Sequence, residues 1–314
     1  MDPRHLIQLA GILEHGSISR ASRHLYLTQP TLTHNMQVLE AQAGGRLFER
    51  SRSGVRSTPL GERLAREGRA IGRRLKDAAE ISARHRGGPR ATLRLGTGPL
   101  VGAALVPALA QALLLQHPDT HLSVQSDRPH LLVGQLVDGR YDLVIAPSWL
   151  DRPPPGIERV LLLRDHLGVF CGAAHPLAAA GALAADVAQG QRWLSLDTAS
   201  PFDQHVRDML DESGLPAPRI EITMLGEAFV LLRFLAQGTH LAVLPRFPPY
   251  LLRRHFPLVE LSLAAQPRAR DMFLWCRGAL LEDAAFAPIR ELITRCAAEA
   301  AEQAFGAPAP ERPS

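Results

Sequence analysis

Residues 27–40 read LTQPTLTHNMQVLE. Leu32, Met36 and Leu39 make an apolar stripe at helical spacing, while Gln29, Thr33 and Gln37 recur every fourth residue on the opposite face. Pro30 suits such a helix only in its first turn, where its missing N–H would have had no helical partner, and Thr28 then stands as the N-cap. The outer face carries almost no charge. A solvated helix face is usually decorated with Lys and Glu. Gln29, Thr31, Thr33, His34 and Gln37 are instead side chains that hydrogen-bond base edges and phosphates.

The flanking residues place this helix in a larger unit. Leu6, Leu9, Ala10 and Leu13 predict an amphipathic helix over residues 4–14, which His15-Gly16 ends. Ser17 is an N-cap for a short second helix carrying Ile18, Ala21, Ser22 and Leu25. "YL" at 26–27 is a tight connection to the third helix. Two short helices with small residues at their crossing make a helix-turn-helix, with an ordinary helical hairpin as the competing reading. Residues 46–59, RLFERSRSGVRSTP, then predict a two-stranded wing with Gly54 at its turn, and Arg46, Arg50, Arg52 and Arg56 at phosphate height. From the Thr58 cap and Pro59 the chain turns helical for about thirty residues. Leu64, Gly68, Ile71, Leu75, Ala78 and Ser82 follow a heptad seam, which argues for a dimer through Leu64, Ile71 and Leu75. RHRGGPR, residues 84–90, is the candidate domain boundary.

Charge divides the chain in the same place. Residues 1–90 hold 16 Lys+Arg against 8 Asp+Glu, and residues 91–314 hold 19 against 23. A basic front and a mildly acidic rear suggest that only the front meets a polyanion. Lys76 is the one lysine, so the arginine bias runs through the whole chain. The longest apolar stretch is interrupted by Pro107, Gln111 and Gln116, which argues against a membrane span, and the N-terminus lacks signal-peptide features. The expected location is the cytoplasm. Three widely spaced cysteines, Cys171, Cys276 and Cys296, fit reduced structural thiols.

Residues 91–305 alternate strand and helix patterns. TLRLG, HLSVQ and YDLVIAP with intervening helices read as β-α-β-α-β, the pattern of a parallel sheet covered by helices. A second set follows: HLGVFC, RWLSL, a helix over 202–213, RIEITM, a helix over 226–237 and HLAVLP. DMFLWC and a helix over about residues 284–303 close the series. The tail, 306–314, has a disordered composition.

In register with one another stand Ile18, Arg20, Ala21, Ser22, Leu25, Gln29, Pro30, Thr33, Met36, Leu39, Glu40, Leu47, Phe48, Arg50, Thr58 and Gly61. That pattern resembles the N-terminal signature of LysR-type transcriptional regulators. DGRYDLVIA, HPL at 175–177 and LLRFLAQGTHLAVLP resemble the family's later motifs, so the similarity covers residues 4 to about 300. It implies a winged helix-turn-helix over 1–58, a dimerising linker helix over 59–88, and a two-lobed α/β effector domain over 91–305 that resembles type 2 periplasmic binding proteins. Lobe one would span about 91–162 plus 266–305 and lobe two about 163–265. The implied DNA contacts are Ser17, Arg20, Thr28, Gln29, Pro30, Thr31, Thr33, His34, Gln37, Arg50, Arg52 and Arg56. The implied partners are double-stranded promoter DNA, a small-molecule effector, further copies of the chain as dimer or tetramer, and RNA polymerase. Thr33 stands where the family usually has Ser, Ser22 where it has Ala, and His34 near a usual Arg or Lys.

Ligands of such two-lobed sheets bind outside the C-terminal ends of strands. Here GTGPLVG, residues 96–102, opens a helix whose N–H groups suit an organic anion. Its glycines do not form a dinucleotide fingerprint, and a tight strand-to-helix turn would alone explain them. The candidate effector residues are Thr97, Gly98, Pro99, Leu100, Trp149, Thr198, Ser200, Phe202 and Met224. No nucleophile elbow, HExxH or Walker loop appears, so no enzyme activity, cofactor or metal is expected. Cys171 and His175 lack the further ligands a zinc site needs. The competing functional class is a solute-binding protein with an accessory helical front.

Overall fold

The computed structural model describes residues 1–51, 54–85 and 91–306. Packing divides the chain into two compact units, Met1–Ala91 with Val137–Arg140, and Thr92–Leu136 with the chain from Tyr141 onward.

The first unit begins with α1 (Pro3–His15), α2 (Ile18–His24) and α3 (Gln29–Ala43). Each start is capped by a side chain: Asp2 accepts from Arg4 N, Ser17 from Arg20 N, and Thr28 from Thr31 N. Pro30 lies in the first turn of α3, as its chemistry requires. The turn between α2 and α3 holds Tyr26 in the left-handed region, with φ 54° and its ring almost fully exposed. Strands β1 (Phe48–Ser51) and β2 (Gly54–Ser57) form an antiparallel wing, with Ser51 opposite Gly54. Gly54 is thus the first residue of the return strand, beside the turn. A Cβ there would collide with the Gly16 carbonyl, and Val55 N–H donates to that carbonyl at 2.9 Å. The wing is thereby anchored on the α1–α2 turn.

Helix α4 (Pro59–His85) starts at the Thr58 cap, whose Oγ1 accepts from Gly61 N at 3.0 Å. Its seam is used in part within the chain. Leu64 and Ile71 pack half-buried on the core of α1–α3, and a Cβ at Gly68 would run into the Leu6 carbonyl. The seam therefore does not wait wholly for a partner: α1 covers its first half. Leu75 is 59% exposed. The side chains from residue 80 onward in α4, and the boundary residues 86–90, lie outside the described residues.

The second unit holds two five-stranded sheets, one per lobe. Lobe one is built from β3 (Ala91–Thr97), α5 (Pro99–Gln116), β4 (Thr120–Ser126), α6 (Pro129–Val137), β5 (Leu143–Pro147) and β6 (Ile157–Leu163). Lobe two is built from β7 (Leu167–Gly172), α7 (Ala185–Ala188), β8 (Arg192–Ser195), α8 (Pro201–Glu212), β9 (Arg219–Thr223), α9 (Ala228–Leu235), β10 (Leu241–Pro245), α10 (Phe247–Leu251) and β11 (Leu258–Leu261). The chain then returns to lobe one with β12 (Met272–Arg277), α11 (Gly278–Leu281) and α12 (Ala287–Phe305).

The strand orders are β4-β3-β5-β12-β6 and β11-β7-β10-β8-β9. The sheets are mixed, which corrects the expectation of parallel ones. β3 and β5 are parallel, but β12 runs antiparallel to β5 and β6, and β7 antiparallel to β10 and β11. The antiparallel strands β7 and β12 are those that enter a lobe directly after a crossing. Their direction follows from where the chain arrives, without a covering helix between strands to set it parallel. Strands β6 and β11 had no sequence expectation.

Helix α5 continues through Pro107 instead of breaking there. Among the described residues it is long and apolar enough to cross a membrane by length and composition. Its Leu105, Leu109 and Leu113 instead bury against Leu95, Ile145, Leu274 and Ile293 in the core of lobe one. Val169, Trp193, Leu210 and Val243 form one core of lobe two, and Leu232, Leu235 and Leu244 another.

Candidate DNA-binding surface and ligand cleft

Leu32, Met36 and Leu39 are buried under α3, and this turns the other face outward. Gln29, Pro30, Thr31, His34 and Gln37 are exposed there, and Thr33 is half-buried. The Thr28 and Thr31 hydroxyls lie 2.7 Å apart at the head of the helix. Arg20 is exposed on α2 and Ser17 half-buried at its cap. In the wing Arg56 is exposed, and Arg50 pairs through its backbone with Val55. The Arg50 side chain and the whole of Arg52 lie outside the described residues.

Glu40 and Thr58 of the signature, together with Asn35, hold this face in place. Glu40 Oε1 accepts from Leu47 N at 2.9 Å, which ties the end of α3 to the wing. Thr58 Oγ1 donates to the Arg46 carbonyl at 2.9 Å and closes the wing at its base. Asn35 donates to Gln8 Oε1 at 2.9 Å and links α3 to α1.

In the second unit, the lobes face each other across a cleft of about 880 Å³, part of it open to solvent. Gly98, Pro99, Leu100, Trp149, Phe202 and Met224 line it. Thr97, Thr198 and Ser200 do not. Thr97 is fully buried beneath the turn, its hydroxyl donating to the Gly98 carbonyl at 3.3 Å. Ser200 is spent as the cap of α8, accepting from Asp203 N, and Thr198 is exposed away from the lining. Leu100 and Val101 at the start of α5 keep N–H groups that the helix cannot satisfy, and Gly98 supplies no side-chain cap.

The sequence points to the stretches 197–202 and 223–227 without singling out Asp197 and Glu227, and it gives no sign of Arg128, His130, His205, Arg270 and Met272; all seven are part of the lining. His130 Nδ1 lies 3.7 Å from Asp197 Oδ2, joining α6 of one lobe to the end of β8 in the other. His130 also meets the Trp149 ring edge-on at 6.4 Å. The Arg270 guanidinium stacks 4.7 Å over the Phe202 ring.

Arg270 sits on the hinge. Its N–H donates to the Asp165 carbonyl at 2.6 Å, and Leu167 N–H donates to the Arg268 carbonyl at 2.8 Å, so the two crossing segments are stitched together. The buried Asp165 carboxylate accepts from His166 N at 2.8 Å and from Phe247 N at 3.1 and 3.2 Å. Burial raises its pKa to about 7 in spite of these bonds and of Arg270 and Arg246 nearby. Arg270 keeps part of its side chain open to the cleft. Desolvation around the guanidinium lowers its pKa to about 10, which leaves it charged at neutral pH. His205 is pushed down by burial first and then by Arg270 and Arg268.

All three cysteines are buried, and burial raises each thiol, Cys276 to about 11. Thiolates are the reactive form, so these sites disfavour redox chemistry.

The family model described as the LysR substrate binding domain matches residues 86–297. The one described as a bacterial regulatory helix-turn-helix protein of the lysR family matches residues 3–62. The small neutral protease regulatory protein of Streptomyces coelicolor is 32% identical over 286 residues, covering 86% of this chain and 83% of that one. The crystal structure of ArgP from Mycobacterium tuberculosis superposes with a TM-score of 0.68 at 17% identity, over 95% of this chain and 97% of that one. Full-length CbnR, solved in complex with its target DNA, gives 0.60 at 19% identity, over 96% of this chain and the whole of that one. At those identities the two structures speak for the fold alone. The family models cover the helix-turn-helix and the two-lobed unit alike, and the chain belongs to the LysR family of transcriptional regulators.

Proposed function

We propose that α3 lies in the DNA major groove and reads base edges with Gln29, Thr33 and Gln37, with His34 and Thr31 beside them. Arg20 and the wing arginines, Arg56 above all, supply attraction to phosphates. One observation carries this reading: α3 turns outward a polar face without a formal charge, within a unit that is strongly basic overall. Side chains such as Gln can pair bidentately with a base edge, whereas charge alone attracts DNA of any sequence. The bonds from Glu40 and Thr58 serve to fix the wing against α3.

The cleft of the second unit is then the effector site, and its occupant changes promoter activity. Self-association uses the exposed end of the α4 seam at Leu75, with Leu64 and Ile71 holding α4 on its own α1 beneath. The partners of this reading are promoter DNA, an effector, a second copy or more of the chain, and RNA polymerase at the promoter. It acts in the cytoplasm, where such DNA is found.

The test is fluorescence anisotropy of the full chain with fragments upstream of its own and neighbouring genes. The expected result is selective binding to at least one fragment, weakened steeply between about 50 and 200 mM salt. Equal affinity for every fragment would remove the base-reading role of α3.

A further inference from the structure

We propose that the effector is a small monocarboxylate with an apolar, ring-sized body, its carboxylate held by Arg270 and its body laid against Phe202, Leu100 and Met272. This rests on the reading of the cleft as the effector site.

The arginines around the hinge differ in one respect. Arg246 pairs with Glu260 at 2.9 Å, and Arg268 pairs with Asp208 at 3.1 Å and also with Glu212. Arg270, on the cleft wall, forms no salt bridge among the described residues. Its guanidinium lies over the flat face of Phe202, and the acidic group that acts on it is the buried Asp165 carboxylate, whose own pKa is raised to about 7 and which is spent on backbone N–H groups. A stacked guanidinium is held in one plane with its N–H fork free, the geometry that a carboxylate accepts bidentately. Burial has already pulled Arg270 down to about 10, so it stands desolvated and gains from an anion.

The rest of the lining sets the body of the ligand. Leu100, Val101, Ile145, Leu231 and Met272 are apolar and buried, and the Trp149 and Phe202 rings are part of the same lining. Such walls leave the many hydroxyls of a sugar unpaired, and they reward an apolar body. The acidic groups of the cleft do not favour a cation equally. Asp197 already accepts from Thr198 N at 2.8 Å and faces His130, and Glu227 is exposed at the rim. The unsatisfied N–H groups at the head of α5 add to the preference for an anion.

The experiment is calorimetric titration and thermal shift of the full chain with 3-phenylpropanoate, its amide, the matching amine 3-phenylpropylamine, and acetate. The acid is expected to bind and raise the melting temperature, the amide to bind at least about tenfold more weakly, and amine and acetate to give no shift. Arg270→Gln should weaken the acid by about 10- to 100-fold and leave the amide unchanged. Arg270→Lys, which keeps the charge but not the fork, should fall between, and it carries the test if the Gln variant does not fold. Binding of amide or amine as tight as that of the acid, acid affinity unchanged in both Arg270 variants, or no shift with any of the four overturns the proposal. Met224→Trp, which fills the cleft, separates the two levels. If it blocks a ligand that ignores Arg270, the ligand class is wrong and the cleft stands. If the acid binds Met224→Trp unchanged, the cleft reading itself falls.

Discussion

The face of α3 and the wall of the cleft solve opposite problems. The α3 face is exposed, polar and without formal charge, and it lies in a basic unit. The cleft is apolar, with one stacked arginine and a carboxylate–histidine pair set into it. A base edge in a wet groove is told from its neighbours by hydrogen-bond pattern, so the discriminating groups are neutral and long-range charge is placed elsewhere. A small ligand leaves water on binding, so affinity comes from apolar contact and from few polar groups at fixed positions. Charge is diffuse where the partner is a polymer and focused where it is a small molecule.

The largest expected effect separates the two regions. Gly68→Val should drive a side chain into the Leu6 carbonyl and destabilise the first unit by about 3 kcal/mol. Urea unfolding followed by circular dichroism, with anisotropy for DNA, checks it. DNA affinity should be lost while ligand titration at the cleft is retained, and loss of both would show that the regions are not energetically separate.

The next effect concerns the hinge beneath the cleft. The folded state raises Asp165 from an ordinary carboxylate value to about 7, so between about pH 4 and 7 the folded chain binds the extra proton. Stability on this account is full below that window and falls as pH rises through it. Asp165→Asn keeps an acceptor for Phe247 N and removes the buried charge. It should stabilise the chain at pH 8 by on the order of 2 kcal/mol, with the gain shrinking to nothing near pH 4. Melting temperature against pH for both proteins is the measurement. A gain that does not depend on pH would assign the effect to packing.

Smaller is the cost of trimming the reading face. Gln29→Ala should weaken specific DNA binding by about 1–3 kcal/mol and leave the melting temperature in place, because Gln29 is exposed. Smallest for the isolated chain is Leu75→Glu: an exposed position changes stability by less than about 0.5 kcal/mol, while sedimentation should show a weaker dimer.

The helix-turn-helix and the fold class could be read from the sequence because their signals are local. Thr28, Pro30 and the Leu32–Met36–Leu39 stripe lie within a few residues of one another, and each has a mechanism at that range. Strand direction is different. Nothing in LVIAP or MFLWC tells which strand will lie beside it, so the antiparallel setting of β12 between β5 and β6 emerges only in the fold. The cleft shows the same limit. The turn at 96–102 was visible through its glycines and proline, but whether Thr97 pointed into the cleft or under it was not. Arg270 gave no signal at all, since its neighbours Asp165 and Phe202 arrive from distant segments. The seam of α4 reads as a heptad in the sequence, yet its first half packs on α1, a partner that periodicity cannot distinguish from a second chain.

The central claim is that base reading and phosphate attraction are carried by different residues. It is tested most directly by measuring the salt dependence and the specific-to-nonspecific affinity ratio for Gln37→Ala and Arg56→Ala side by side. Gln37→Ala should lower the ratio by about tenfold or more and leave the salt slope unchanged, whereas Arg56→Ala should reduce the slope by about one and leave the ratio nearly intact. A reduced slope in Gln37→Ala with an unchanged ratio, or a collapsed ratio in Arg56→Ala with an unchanged slope, would contradict that division.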